Sequence, residues 1–249
     1  MEKEIIKWIY EAAELIKSKI GDHLQVDHKT GRTDLVTNVD KEVQEFLVAK
    51  IKRFDPHALI LGEENGQDTT PIDHGRVFVI DPIDGTLNFV YQRENFCIMI
   101  AVYEEGVGQL GFIYDVMAGD LYWGGPKIGK VFCNDQELAP VKDQGLADGL
   151  IGMGIGLYAH STELQKIGER SMGVRVLGCA GLEMIAMLKG QQLAYISLLS
   201  PWDYAPGKIM IEQLGMVTSG ANQQPLKFSG RELFFGATKQ VMAQIDADK

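Results

Sequence analysis

Asp81 and Asp84, in VIDPIDGTLNF (79–89), close an apolar run from Val77 to Ile80 that reads as a buried strand. Asp-Pro and Asp-Gly are common turn dipeptides, and in isolation they would make only a turn. Here the strand brings both carboxylates to one strand end, and the pattern recurs. ALIL (58–61) runs into Gly62, Glu63 and Glu64, and PWDY (201–204) places Asp203 at a strand end or helix start. If Glu63, Asp81, Asp84 and Asp203 came together they would repel and raise one another's pKa unless cations intervened. Two divalent ions would balance them formally. Oxygen ligands without histidine or cysteine favour Mg²⁺ over zinc. An EF-hand calcium loop needs acids at alternate positions and a closing glutamate, and this stretch has neither. Gly85 and Thr86 open LNFVY, whose first backbone N–H groups would bind an anion if the segment turns helically.

These residues need elements to position them. Ile5, Ile9, Ala12, Ala13, Ile16 and Ile20 recur at helical spacing and stop at Gly21. A second helix carries Val39, Val43, Phe46, Leu47 and Ile51, with Thr37 or Asn38 as its cap. DHLQVDHKTGRTD between them reads as a polar surface loop. Apolar runs at 58–61, 76–80, 96–103, 107–115 and 120–124 follow, the later ones separated by turn signals as in antiparallel hairpins. After about residue 145, GLIGMGI, VRVLG, LAYIS and MVTSG alternate with helical segments near 161–170, 181–189 and 203–214, an α/β pattern. Pro206 is best tolerated in a first turn, which predicts a helix starting near Asp203. The organisation expected is an N-terminal α+β half (1–140) bearing most of the acids and a C-terminal α/β half (141–249) supplying Asp203.

Composition excludes several classes. The 249 residues are 45% hydrophobic and 23% charged, enough for a large core. With 24 Lys and Arg against 34 Asp and Glu, a net charge of -10 argues against nucleic acid as a partner. Three scattered cysteines, Cys97, Cys133 and Cys179, fit neither a disulfide framework nor a zinc site. Neither a signal peptide nor a membrane span is legible, so the chain reads as soluble and cytoplasmic, with no membrane partner. GMGIG (152–156) lacks the third glycine of a dinucleotide fingerprint and reads as tight strand packing. The five histidines lack metal-ligand spacing, and no G-x-S-x-G elbow is present.

TDLVTNVD (33–40), LGEE (61–64), VIDPIDGTLNF and PWDYAPG together resemble the inositol monophosphatase family of Mg²⁺-dependent, lithium-sensitive phosphatases, over nearly the whole chain. The LNF ending is similar to its inositol phosphatase branch. The resemblance implies a layered αβαβα sandwich and a homodimer acting on a small phosphorylated metabolite with two or three Mg²⁺, inhibited by Li⁺. By position, Glu63, Asp81 and the Ile83 carbonyl would hold one Mg²⁺, and Asp81, Asp84 and Asp203 another. Lys29 and Asp34 match a mobile loop. Asp40 would orient the Thr86 hydroxyl, which with Glu63 would orient the attacking water. The N–H groups of Gly85 and Thr86 would hold phosphate, and Gly178, Cys179 and Ala180 would line the substrate side along with Asp84 and Asp203.

The sequence departs from the family in two places. Pro206, Gln213, Leu214 and Met216 replace small residues and a Glu-Ala-Gly-Gly run. Ile196, seven residues before Asp203, stands where inositol-specific members carry a glutamate for substrate hydroxyls. An apolar Ile196 would offer a surface to a ribose edge or adenine ring. The expected activity is therefore a Mg²⁺-dependent phosphomonoesterase acting on inositol monophosphate and other small phosphates. The alternatives are an NADP(H) 2′-phosphatase, a fructose-1,6-bisphosphatase, or, in another class, a metal-binding interaction protein.

Overall fold

The computed structural model describes residues 1–20, 25–28, 35–64, 66 and 68–246. In chain order the first half contains α1 (Glu2–Lys19), β1 (Val26–His28), β2 (Leu35–Thr37), α2 (Asn38–Phe54), β3 (Leu59–Gly62), β4 (Arg76–Asp84), α3 (Thr86–Gln92), β5 (Cys97–Glu104), β6 (Val107–Asp115), β7 (Asp120–Gly125), β8 (Lys130–Cys133) and β9 (Gln136–Glu137). The second contains β10 (Leu150–Met153), α4 (Ile155–His160), α5 (Thr162–Arg170), β11 (Gly173–Arg175), α6 (Ala180–Leu188), β12 (Gln192–Leu199), α7 (Pro201–Gln213), β13 (Val217–Ser219), β14 (Glu232–Ala237) and α8 (Lys239–Asp246).

Among the described residues, β3 to β9 form a seven-stranded sheet in sequence order, and β11-β10-β12-β14-β13 form a five-stranded one. Side chains alternate across a strand, so each sheet feeds two layers. Phe78, Ile80, Ile98, Ile100 and Phe112 pack on α1 and α2 through Ile5, Ile9, Val43 and Leu47. On the opposite face, Val77, Val79, Met99, Ala101 and Ile113 meet α6 and α7, which also cover Tyr195, Leu199 and Phe234 of the second sheet. That sheet's far face, including Ile151, Ile196 and Phe235, packs on α5 and α8. The layers run αβαβα.

Most expected elements form, with three differences. β1 pairs antiparallel with β2, so the polar segment between the first two helices contains a short hairpin. β4 runs through both aspartates to Asp84 and does not stop before them. α7 starts at Pro201, two residues earlier than expected, leaving Pro206 inside the helix. Pro201 fills the first helical position, where a missing N–H costs nothing, and Ser200 with Asp203 closes a capping box. Proline at 206 forgoes the bond to the Trp202 carbonyl. The Pro206 carbonyl instead lies so close to β6 that a Cβ on Gly111 would collide with it, which explains the glycine there. No described helix is long and apolar enough to cross a membrane.

Candidate active site

One cavity of about 510 Å³ is lined by Glu63, Asp81, Asp84, Thr86 and Asp203, with Arg231 as the basic side chain on its wall. Three separate chain segments therefore deliver acids to a common space. β3 and β4 run parallel with Gly62 opposite Ile80, which sets Glu63 beside Asp81; the Glu63 N–H donates to the Ile80 carbonyl at 3.3 Å.

Residues three apart on a regular strand point to opposite faces. Asp81 lies opposite Met99 and Asp84 opposite Cys97, so three steps along β4 match two along β5. This one-residue bulge, at Pro82 and Ile83, restores the parity and turns both carboxylates toward α6 and α7. Proline suits a bulge because it has no N–H to leave unpaired. Asp203 comes from the first turn of α7, where its Oδ2 accepts the Ser200 N–H at 2.8 Å.

Asp84 is held from across the sandwich. Its Oδ1 accepts the Ala180 N–H at 3.2 Å and its Oδ2 the Gly181 N–H at 2.5 Å, so it caps the positive N-terminus of α6. The thiols of Cys179 and Cys97 approach the same Oδ2 at 3.0 and 3.5 Å. Gly85 follows at φ +87, a left-handed conformation, and a Cβ there would press on Cys179 and the Asn95 carbonyl. The first intrahelical bond of α3 joins the Phe89 N–H to the Gly85 carbonyl, so the N–H groups just before it have no partner within the helix.

Asp40 sits behind Thr86, fully buried and outside the cavity lining. Thr37 caps α2, and Asp40 returns the favour by accepting the Thr37 N–H at 2.9 Å and bonding its hydroxyl. The other carboxylate oxygen faces Thr86 Oγ1 at 3.0 Å, and Thr86 Oγ1 also lies 3.0 Å from the Ile83 carbonyl. The Thr86 hydroxyl proton can serve one of these acceptors, which leaves its lone pairs for a donor in the cavity.

Burial pushes the Asp40 carboxyl up to about 6. It raises Asp84 as well, although the thiol and the α6 N–H groups favour the ionised form. Asp203 is driven well above the carboxylate range, first by burial and then by the charges of Asp84 and Glu63. Acids that oppose one another's ionisation in this way have room in their charge balance for cations. The all-oxygen set of Glu63, Asp81, Asp84 and Asp203 fits a hard divalent ion such as Mg²⁺.

The structure also places the remaining expected residues. Gly178, Cys179 and Ala180 line the cavity, as do Ile83 and Gly85. Lys29 and Asp34 lie outside the described residues. Ile196 does not reach the cavity: it is wholly buried in the outer layer with α5 and α8. Strand alternation points Tyr195, Ser197 and Leu199 of β12 toward the cavity, so the expected apolar contact from Ile196 is withdrawn.

Several contributors were not singled out from sequence. Gln44 on α2 reads like a surface polar residue, yet it is buried; its Oε1 accepts the Glu64 N–H at 3.0 Å and its amide bonds the Glu64 carbonyl. It thereby pins the backbone next to Glu63. Asn88 donates to the carbonyls of Asn95 and Leu177, at 2.9 and 3.0 Å, tying α3 to the segment before α6. Glu183, another buried acid on the cavity wall, accepts the Leu177 N–H at 2.7 Å and the Gln192 amide at 2.8 Å. A single acid in the apolar stretch AGLEMIAML was the available signal for it.

The family model of the inositol monophosphatase family matches residues 1–248. The inositol-1-monophosphatase of Bacillus subtilis is 35% identical over 228 residues, covering 89% of this chain and 86% of that protein. The solved structure of an IMPase/NADP phosphatase complexed with Mg²⁺ and phosphate matches with a TM-score of 0.90 at 26% identity, over 99% of this chain and 93% of that one. SaIMPase-II matches in an inositol monophosphate-bound structure (TM-score 0.88, 31% identity, 99% and 92% covered) and in a 2′AMP-bound one (0.87, 32%, 98% and 92%). With the fold, the acids of the cavity and these likenesses in agreement, the chain belongs to the inositol monophosphatase family, whose members hydrolyse phosphomonoesters.

Proposed function

We propose that this protein is a Mg²⁺-dependent phosphomonoester hydrolase whose reaction takes place in the 510 Å³ cavity. The observation that carries this reading is the convergence of Glu63, Asp81, Asp84 and Asp203 on that one space. Glu63, Asp81 and the Ile83 carbonyl would hold one ion, and Asp81, Asp84 and Asp203 another. When bound, such ions supply Lewis-acid activation of water and neutralise charge on the phosphoryl and leaving oxygens.

The protein's own groups supply orientation. Glu63 and Thr86 face the water, with Asp40 fixing the Thr86 hydroxyl. The N–H groups at Gly85 and Thr86 receive phosphate oxygens. A charge-assisted contact of this kind holds the phosphorus in place for in-line attack. Gly178, Cys179 and Ala180 form the wall on which the alcohol rests.

For the substrate, Arg231 favours a second reading within the same chemistry. Its guanidinium lies on the wall, donates to the Leu198 carbonyl at 3.0 Å and is the basic member of a lining whose other charged residues are acids. A phosphomonoester with a further anionic group, such as a 2′-phosphorylated nucleotide, would engage it; inositol 1-phosphate would not. This supports NADP-like phosphomonoesters, which carry a second anionic group, as substrates beside inositol monophosphate, which would be held through its phosphate alone. A homodimer in the cytoplasm and two chain halves meeting near residue 140 belong to the same reading.

The test is phosphate release from inositol 1-phosphate, 2′-AMP and NADP, with wild type and Arg231→Ala. The variant should lose roughly 10-fold in kcat/KM for NADP and little for inositol 1-phosphate, as expected for a contact to a charged group. An unchanged ratio would remove Arg231 from substrate choice.

A further inference from the structure

We propose that Asp84, Cys97 and Cys179 form a second kind of metal site, one for a thiophilic divalent cation such as Zn²⁺ or Cd²⁺, and that filling it inhibits the enzyme. Among the described residues, theirs are the potential ligand atoms that gather within 4.8 Å of one another. The separations are 3.6 Å between the two sulfurs, 3.5 Å from Cys97 Sγ to Asp84 Oδ2 and 3.0 Å from Cys179 Sγ to the same oxygen. Tetrahedral zinc with sulfur at about 2.3 Å and oxygen at about 2.1 Å has ligand-to-ligand edges of roughly 3.6–3.8 Å. The trio therefore resembles one face of such a tetrahedron, slightly contracted.

The fold brings these atoms together from distant places. Cys97 stands opposite Asp84 across the β4–β5 ladder, on the same face because of the bulge. Cys179 is the cap residue of α6. Asp84 and Cys179 line the cavity, which gives an ion a way in and leaves its fourth position to water, while Cys97 sits fully buried behind them. Binding would release both thiol protons to solvent, and two thiolates with one carboxylate would leave a net single negative charge around the ion. Thiolate selects zinc and cadmium and is a poor ligand for Mg²⁺, so this trio and the four carboxylates sort cations by softness. Asp84 belongs to both sets. A soft ion drawing its Oδ2 toward the sulfurs takes that oxygen away from the hard-ion site, and the inhibitory part of the proposal rests on the function proposed above.

The test is a Cd²⁺ titration of the full-length chain at saturating Mg²⁺ in a phosphine reductant, read by the ultraviolet thiolate-to-cadmium charge-transfer band and, in parallel, by phosphate release. Wild type should develop the band to one equivalent per chain, reversibly on adding chelator. Cys133→Ser should behave the same. Cys97→Val and Cys97→Ser should both lose the band, and half-inhibition relative to each protein's own rate should require at least about 10-fold more Cd²⁺. Two variants of different polarity guard against one failing to fold. A wild type without the band, or a band that survives in a folded Cys97 variant, overturns the site. A lost band with undiminished inhibition overturns the inhibitory role, because cadmium would then be acting at the carboxylates alone. The band does not depend on turnover, so it separates failure of this site from failure of the proposed hydrolase reading.

Discussion

Asp40 and Asp84 are both buried acids of the site, Asp84 lining the cavity and Asp40 one hydrogen bond behind its Thr86, and they are held in opposite ways. Asp40 is secured locally by the backbone and hydroxyl of Thr37, three residues away, and then extends a single long-range bond to Thr86. Asp84 is secured by Ala180, Gly181 and Cys179, more than ninety residues along the chain, so its position depends on the second half of the sandwich being docked. Local wiring produces a rigid positioning group. Long-range wiring makes a reactive group that is also a joint.

The contrast is sharpened first by removing charge. Asp84→Asn and Glu63→Gln should each lower kcat by about 100-fold or more at saturating Mg²⁺, because each weakens the hold on a cation needed in the transition state. Glu63→Gln should leave the fold intact. Asp84→Asn turns an amide toward one of the α6 N–H donors, so its thermal midpoint should fall as well. Steady-state kinetics beside a melting curve checks both, and equal midpoints would break the idea of Asp84 as a joint.

A smaller effect is expected at Thr86, where the Asp40 wiring ends. Thr86→Ala should reduce kcat by roughly 10- to 100-fold at similar KM, since the hydroxyl orients water while backbone N–H groups hold the phosphate. A rise in KM alone would make Thr86 a binding residue.

Gln44→Met tests the support behind Glu63. It removes the bonds that Gln44 makes to the Glu64 N–H and carbonyl, which should cost about 1–3 kcal/mol and weaken activation by Mg²⁺. Urea unfolding and a Mg²⁺ titration are the measurements.

A comparable effect, with no change in the metal ligands, is expected in the pH dependence of stability. Folded Asp40 titrates near 6, against 3.8 for an ordinary aspartate. Across that window the native state binds the extra proton, so stability must fall as pH rises. Asp84 and Asp203 are raised too and act with the same sign, so the informative quantity is wild type minus Asp40→Asn, both without metal. That difference should change by on the order of 2–3 kcal/mol between about pH 4 and 7, using 1.36 kcal/mol per pKa unit. A flat difference would mean that Asp40 is not desolvated.

The same division between local and long-range wiring explains what was legible in sequence. Helical spacing from Ile5 to Ile16, the Thr37 cap and the strand runs are local patterns, and they form as expected. The acids at 63, 81, 84 and 203 were legible because each closes a short motif. The bulge that aims Asp81 and Asp84 the same way depends on register with β5, which a single strand does not encode. Ile196 was misplaced for a related reason: its distance from Asp203 is a property of sequence, while its face is decided by the pairing of β12 with β10 and β14. Gln44, Asn88 and Cys97 matter through partners elsewhere in the chain and carry no local mark, whereas the mark of Glu183 is its place as the single acid of an apolar helix.

The most direct test of the central claim is inorganic phosphate release from inositol 1-phosphate and 2′-AMP by metal-free protein, titrated with Mg²⁺, in wild type and Asp203→Asn. Asp203 is the one acid of the cavity set supplied by α7. The expected result is negligible hydrolysis without the ion, activation on adding it, and a loss of about 100-fold or more in the variant at saturating Mg²⁺. Hydrolysis independent of divalent ions, or a variant that turns over like wild type, would contradict the assignment of this cavity as a cation-dependent phosphatase centre.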